Sequence, residues 1–327
     1  LILAFALSFA VLLGFRMWTN SRYPQAPAGQ GQALSTATPT PPPAATKTVE
    51  PVRAPDQVIA QSTPLPSVPV VSGEEKRVEI ATADAEIAFS SKGARLLSWK
   101  LLRYKDPRGK AVEAHPGGNP VPGPLDLVTG KADLDARLRE APFRVTDLTQ
   151  GADRGARFDF SDGSVEASKT IRTVKDGRAF LVEAEVKVNG VAVPAPVFLG
   201  PGFGQATDEE KSLQGYIPPQ VVAIDELGSE LRLAPGALTE SRPKRASVLG
   251  IENKYFAVVV TREGGASLDA TLGVTTHEKE SNVHVLVSAP FLLAIDAKDH
   301  DRLQALGLGL ERVVPVGSWI GPIVVPL

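Results

Sequence analysis

Cysteine is absent from all 327 residues. That removes disulfide frameworks, zinc–thiolate sites and thiol nucleophiles, and it decides nothing between an oxidising and a reducing compartment. Neither sign of charge is in excess: 35 Lys and Arg face 37 Asp and Glu, a formal net charge of -2. A nucleic-acid partner would call for a basic footprint, and none is present; Lys244-Arg245 is one basic pair, read as part of a loop. Histidine occurs only four times and aromatic residues make up 6% of the chain. No Gly-x-Ser-x-Gly elbow and no His-Glu-x-x-His helix occurs. Gly123 to Lys131 imitates a phosphate loop, but six residues separate its glycines and Ala132 stands where a Mg²⁺-binding Ser or Thr belongs. Gly200-Pro201-Gly202-Phe203-Gly204 lacks the spacing and following helix of a dinucleotide turn and reads as a loop.

What the sequence does have is sharply zoned. Leu1 to Phe15 carry no charge, and Arg16, Met17 and Trp18 end the run. Fifteen helical residues rise about 22 Å against roughly 30 Å of hydrocarbon. The first residue is Leu1 rather than Met. A few more apolar residues upstream, with Trp18 at the interface, complete a span. Residues 1–18 therefore read as a transmembrane anchor. A cleaved signal peptide is the alternative, with Ala26-Pro27-Ala28 as its small-residue site. That site lies far beyond the apolar run, with Arg16 and Arg22 between, so the retained anchor is preferred. Residues 19–73 hold eleven prolines, from Pro24 to Pro69, among Ala, Thr, Ser and Gln. Such a composition cannot bury enough surface to offset chain entropy, and it reads as a disordered, extended tether.

From Glu74 the texture becomes β-rich. Over 155–190 three apolar-alternating runs are separated by Asp162-Gly163 and Asp176-Gly177 and closed by Asn189-Gly190. Asp-Gly and Asn-Gly supply the positive φ of tight hairpins, so an antiparallel meander is predicted. Val182, Ala184, Val186 and Val188 alternate with Glu183, Glu185 and Lys187, one face buried and one wet. Further strands are predicted at 76–81, 85–90, 95–103, 143–149, 195–199, 220–226, 230–234, 246–251, 255–261, 267–275 and 282–288. Strands without intervening helices imply an all-β domain over 74–315, two large antiparallel sheets packed together. Near its end a short helix is predicted over 297–306, with Asp296 as N-cap, Leu303 and Leu306 on its apolar face and Gly307 at its stop. A last strand is predicted at 309–314. Residues 316–327 are uncharged and apolar, with Trp319 near their start, and read as a return to the membrane surface.

Candidate chemistry is thin. His277 and His284 flank a predicted hairpin, where Glu278 or Glu280 could complete a metal site, but two histidines on a solvated hairpin is the preferred reading. Capping accounts for Asp296, Asp299 and Asp301 without an acid–base role for them or for His300. Trp99, Tyr104, Tyr255 and Phe256 sit in strand patterns and read as core. Tyr216 lies in a loop, Gln214-Gly215-Tyr216-Ile217-Pro218-Pro219, where it could line a cleft. No catalytic residue, metal or cofactor is expected.

Five blocks in order resemble the N-terminal half of the YidC-type bacterial membrane protein insertases. The first is Ile87-Ala88-Phe89-Ser90-Ser91-Lys92-Gly93-Ala94-Arg95-Leu96-Leu97-Ser98-Trp99-Lys100-Leu101, followed by Tyr104-Lys105-Asp106. The others are Pro124-Leu125-Asp126-Leu127-Val128, the 199–204 loop, Gly250-Ile251-Glu252-Asn253-Lys254-Tyr255-Phe256-Ala257 and the stretch 308–327. The resemblance covers residues 77–327, with the anchor matched by position. It implies a periplasmic β super-sandwich, related in architecture to sugar-binding and mutarotase-like domains, held at the bacterial inner membrane. The implied activity is insertion, folding and assembly of inner-membrane proteins, not bond-making chemistry. Implied partners are nascent inner-membrane proteins, the Sec translocon with its accessory subunits, and the lipid bilayer. The family's working bundle of five membrane helices around a polar groove has no counterpart in these residues, so none is given that role. Arg302, Gln304 and Tyr216 are candidate partner contacts, and Trp18 and Trp319 candidate interface anchors. The competing reading is a membrane-anchored periplasmic carbohydrate-binding or mutarotase-like domain; a purely structural envelope protein is a third.

Overall fold

Alternation, turn chemistry and apolar runs are realised as three antiparallel sheets in a computed structural model that describes residues 74–106, 108–115, 120–203, 211–212, 216–277 and 280–314. The expected anchor and tether, the terminal stretch 316–327, and with them Trp18 and Trp319, lie outside the described residues. Among the described residues no helix is long and apolar enough to cross a membrane.

In chain order, β1 (Arg77–Ala81), β2 (Ala85–Ser90), β3 (Leu96–Lys105) and β4 (Ala111–His115) precede helix α1 (Ala132–Glu140). Next come β5 (Arg144–Asp147), β6 (Gly155–Ser161), β7 (Val165–Val174), β8 (Ala179–Val188), β9 (Val191–Val193) and β10 (Val197–Leu199). The remainder are β11 (Gln220–Ile224), β12 (Glu230–Leu233), β13 (Arg242–Ala246), β14 (Val248–Glu252), β15 (Phe256–Thr261), β16 (Leu268–His277), β17 (Glu280–Val287), β18 (Phe291–Ala297) and helix α2 (His300–Gln304). Strands β1 to β4 form one sheet in sequence order, and a second runs β10-β17-β16-β13. The third, of ten strands, runs β12-β11-β14-β15-β18-β8-β7-β6-β5, with β9 paired to β8.

The expected pair of large sheets is thus corrected: one large sheet stands beside two four-stranded ones. All three share a core. Trp99 of β3 meets Phe180 of β8 edge-on at 4.9 Å, and Phe89 of β2 meets Phe158 of β6 at 5.7 Å. Leu272, Val283 and Val285 of the second small sheet join the same cluster, with Val221 and Leu249 of the large one. The 124–128 block is laid against β10, where Leu125 N–H donates to Phe198 O and Phe198 N–H to Asp126 O.

The ten-stranded sheet has a second apolar face. Val222, Ile224, Val248, Ala257, Val259 and Ala294 point away from the shared core, and Leu303, Leu306, Leu310 and Val313 cover them. Their neighbours Val221, Ala223, Leu249, Val258, Val260 and Leu293 point into it. Side chains alternate across a strand, so a strand buried on both faces reads as an unbroken apolar run. That is the reason β18, Phe-Leu-Leu-Ala-Ile-Asp-Ala, escapes a search for alternation.

Other expectations are also corrected. The strand predicted at 246–251 is two, belonging to different sheets and separated only by Ser247. Ser247 is buried; its N–H and hydroxyl both donate to Ile224 O, and its carbonyl accepts from Thr261. Helix α1 interrupts the strands: Leu134 and Leu138, one turn apart, bury its inner face. Its N-cap residue, Lys131, makes no side-chain capping bond, so the usual entry signal is missing. The C-terminal helix spans His300–Gln304, not 297–306, and Asp299 rather than Asp296 caps it, accepting from Arg302 N–H. The strand predicted at 309–314 is a 3₁₀ turn, Leu310–Val313. Lys244 and Arg245 lie in β13, an edge strand, rather than a loop. Tyr255, expected in the core, is 59% exposed in the β14–β15 turn.

Candidate functional site

Where the β7–β8 turn, β3, β18 and α2 converge, a recess of about 20 Å³ remains, room for one water. Trp99, Leu101, Phe180 and Ile295 form its apolar wall; Asp84, Arg103, Tyr104, Arg178, Asp296 and Arg302 form its polar rim. Local structure places each group. Strand β3 turns Trp99 inward, 1% exposed, and carries Tyr104 towards its end. Strand β18 delivers Asp296 opposite Ala257, and the Asp299 cap starts the helix that brings Arg302 back over Asp296.

The rim groups are matched to one another. Tyr104 donates its hydroxyl to Asp296 Oδ1 at 2.7 Å. Arg302 donates through Nε and Nη2 to Asp296 Oδ2, at 3.1 and 2.9 Å. Its guanidinium also stands 3.6 Å from Asp84, which Arg103 approaches at 3.5 Å. Arg178 donates to Ala305 O in the segment after α2. Burial, then the bond to the Asp296 carboxylate, pushes the Tyr104 phenol up to about 12, so it stays protonated at neutral pH. This arrangement ties β3, β18 and α2 together. It leaves no free carboxylate–histidine or carboxylate–carboxylate pair poised for proton transfer.

A second polar cluster lies inside the sandwich. Lys169, at an inward position of β7, is fully buried, donates to Leu125 O at 2.8 Å and stands 5.9 Å from the Phe89 ring centre. Asp126 accepts from Gly123 N–H at 2.8 Å and faces Arg95 Nε at 3.5 Å. Burial lowers the Lys169 ammonium to about 8 and raises the Asp126 carboxyl. His115 Nδ1 lies 3.0 Å from Gly202 O, and burial lowers its imidazole. All three of Asp126, Lys169 and His115 are shielded from solvent, so a soluble substrate has no access to them.

The remaining sequence candidates are dispersed. The β16–β17 register pairs His277 with Glu280 but Gly273 with His284, which separates the two histidines along the hairpin. His284 stacks on Phe198 and lies 3.0 Å from Thr275 Oγ1. Among the described residues no group of three His, Cys, Asp or Glu side chains is placed to hold a metal ion. Tyr216 is half-buried outside any strand, away from the recess lining; Gln304 is exposed on α2, and Arg302 is turned inward to its carboxylates. Sequence reasoning missed the Lys169–Asp126–Arg95 cluster. The signal was there: Lys169 occupies an inward register position between Ala167 and Ile171.

Comparison with known proteins gives one curated relative and a set of solved folds. The membrane protein insertase YidC of Syntrophus aciditrophicus (strain SB) is 24% identical over 352 aligned residues, covering all of this chain. The chain spans 63% of that relative's length. No family model matches. Among solved structures, a galactose mutarotase-like protein from Lactobacillus casei is 10% identical, with a TM-score of 0.41, over 68% of this chain and 100% of that one. The GH36 α-galactosidase AgaA of Geobacillus stearothermophilus is 8% identical, with a TM-score of 0.40, over 70% of this chain and 42% of that one. Over its whole length the chain is thus distantly similar to a YidC membrane protein insertase.

Proposed function

We propose that this chain is the anchor and outward-facing domain of a membrane protein insertase. The observation that carries the reading is the full-length match to an insertase, which runs through the apolar head, the Pro-rich stretch and the β-domain alike. In this reading residues 1–18 hold the inner membrane and 19–73 space the domain from it. Residues 74–315 stand in the periplasm, and 316–327 lead back to the bilayer. The work is assembly rather than bond-making catalysis. A polar path within the bilayer lowers the cost of moving a hydrophilic segment across hydrocarbon. The domain would position nascent inner-membrane proteins, or the Sec translocon and its accessory subunits, at the outer mouth of such a path.

The exposed side of α2, with Gln304, and the loop at Tyr216 are the proposed contact points. Arg302 would act there chiefly by fixing the helix through Asp296 and Asp84, with its exposed edge available to a partner. The test is depletion of the intact protein, followed by the insertion of newly made inner-membrane proteins. Insertion should fall as the protein is lost; undiminished insertion overturns the proposal.

A further inference from the structure

The Gly250–Ala257 block, one of the five that carry the family resemblance, has a physical task that the functional reading leaves unassigned. Glu252 is 1% exposed, yet it meets three partners from three separate segments, two as hydrogen-bond donors and one as an ion pair. Gln220 Nε2 and Arg232 Nε donate to its Oε1 at 2.9 and 2.7 Å, and Lys298 Nζ lies 3.0 Å from Oε2. Two of these partners reach the two ends of one strap, residues 298–314: Lys298 begins it, and Arg232 of β12 holds its far end. Lys298 stands just before α2, and Arg232 uses its remaining Nη2 to hold Val313 O at 2.9 Å. Between those points the strap lies on the outer face of the ten-stranded sheet through Leu303, Leu306, Leu310 and Val313. That apolar cluster is separate from the main core. Arg178 on Ala305 O and Arg312 on Asp225 O, both at 3.1 Å, pin its middle and far end.

We propose that Glu252 is a latch: a positioning residue that fixes residues 298–314 to the ten-stranded sheet at both ends of the strap. The inference goes beyond the functional reading and does not depend on it. Local elements held by their own small cluster open independently of the global core. Removing one partner of a buried ion pair leaves the others uncompensated, so one carboxylate governs both strap ends. Latched, the chain beyond Val314 starts from a fixed point on the sandwich. Unlatched, the strap becomes added tether, and Val222, Ile224, Val248 and Val259 lose their cover.

The absence of native cysteine gives a clean test in the full chain. A Leu306→Cys reporter sits on the buried face of the strap and a Val260→Cys reporter sits in the main core. Maleimide labelling of each is followed with and without Glu252→Gln. The latch requires at least tenfold faster labelling at position 306 and an unchanged rate at position 260. Arg232→Gln, which removes the Val313 hold and one of the Glu252 contacts but leaves Lys298 paired, should give a smaller acceleration at 306, and adding it to Glu252→Gln should accelerate labelling less than the two changes taken independently. Parallel acceleration at both reporters overturns the proposal, because the strap then opens only with the whole domain. Unchanged labelling at 306 in both variants overturns it as well.

Discussion

Replacing Lys169 with Met should change the pH dependence of stability more than the stability itself. Methionine fills a similar apolar volume, but the change removes the ammonium that donates to Leu125 O and leaves Asp126 with Arg95 as its nearby cation. At neutral pH those losses oppose a gain, because a fully buried ammonium no longer has to be desolvated. The pH dependence separates the two effects. Burial takes the ammonium from 10.5 to about 8 in the folded chain, whereas the unfolded chain keeps the ordinary value. Between those limits the unfolded state binds more protons, so this group's contribution to stability rises with pH. At ~1.4 kcal/mol for each tenfold change in proton affinity, the full swing is on the order of 3 kcal/mol. About 2 kcal/mol of it falls between roughly pH 7.5 and 9.5. The variant has no such group, so the native protein should gain about 2 kcal/mol on it across that interval. Urea unfolding at several pH values, read by far-UV circular dichroism and the fluorescence of buried Trp99, measures the difference. A gap between the two proteins that stays constant with pH would refute the reasoning.

Two further substitutions probe the elements around the candidate site. Gly250→Ala would place a Cβ 2.1 Å from Val258 O on the neighbouring strand, so β14 and β15 must part. The expected loss is ~1–3 kcal/mol, seen as a lower urea midpoint, and full retention would show that the strands can shift freely. Asp296→Asn should bring the raised Tyr104 phenol back towards 10 without abolishing its elevation, since burial is the larger cause. Tyrosinate absorbance should then show the highest-titrating tyrosine moving down, and an unmoved titration would detach Tyr104 from Asp296.

What could be read from the sequence depended on which faces meet water. The 155–190 meander was legible because Glu183, Glu185 and Lys187 mark a wet face and Asn189-Gly190 both take positive φ in the turn. Strands with two buried faces carry no such mark, and β18 went unseen. The β13–β14 break was invisible for another reason. The switch between sheets is written only in where Ser247 finds its partners, and Ile224 and Thr261 are remote in sequence. Asp299 and Asp296 both looked like caps, and only the position of Arg302 sorts them: one accepts its backbone N–H, the other its guanidinium. The recess was likewise illegible, since Asp84, Tyr104, Arg178 and Asp296 come from four distant stretches. Its helix, and the short apolar cluster on it, were within reach of pattern reasoning.

The single-residue passage at Ser247 bears on how the two sheets are coupled. With one residue between them, β13 and β14 leave no slack between the two sheets they belong to. A shift of β13 against β14 would therefore have to break the bonds that Ser247 makes to Ile224 and Thr261.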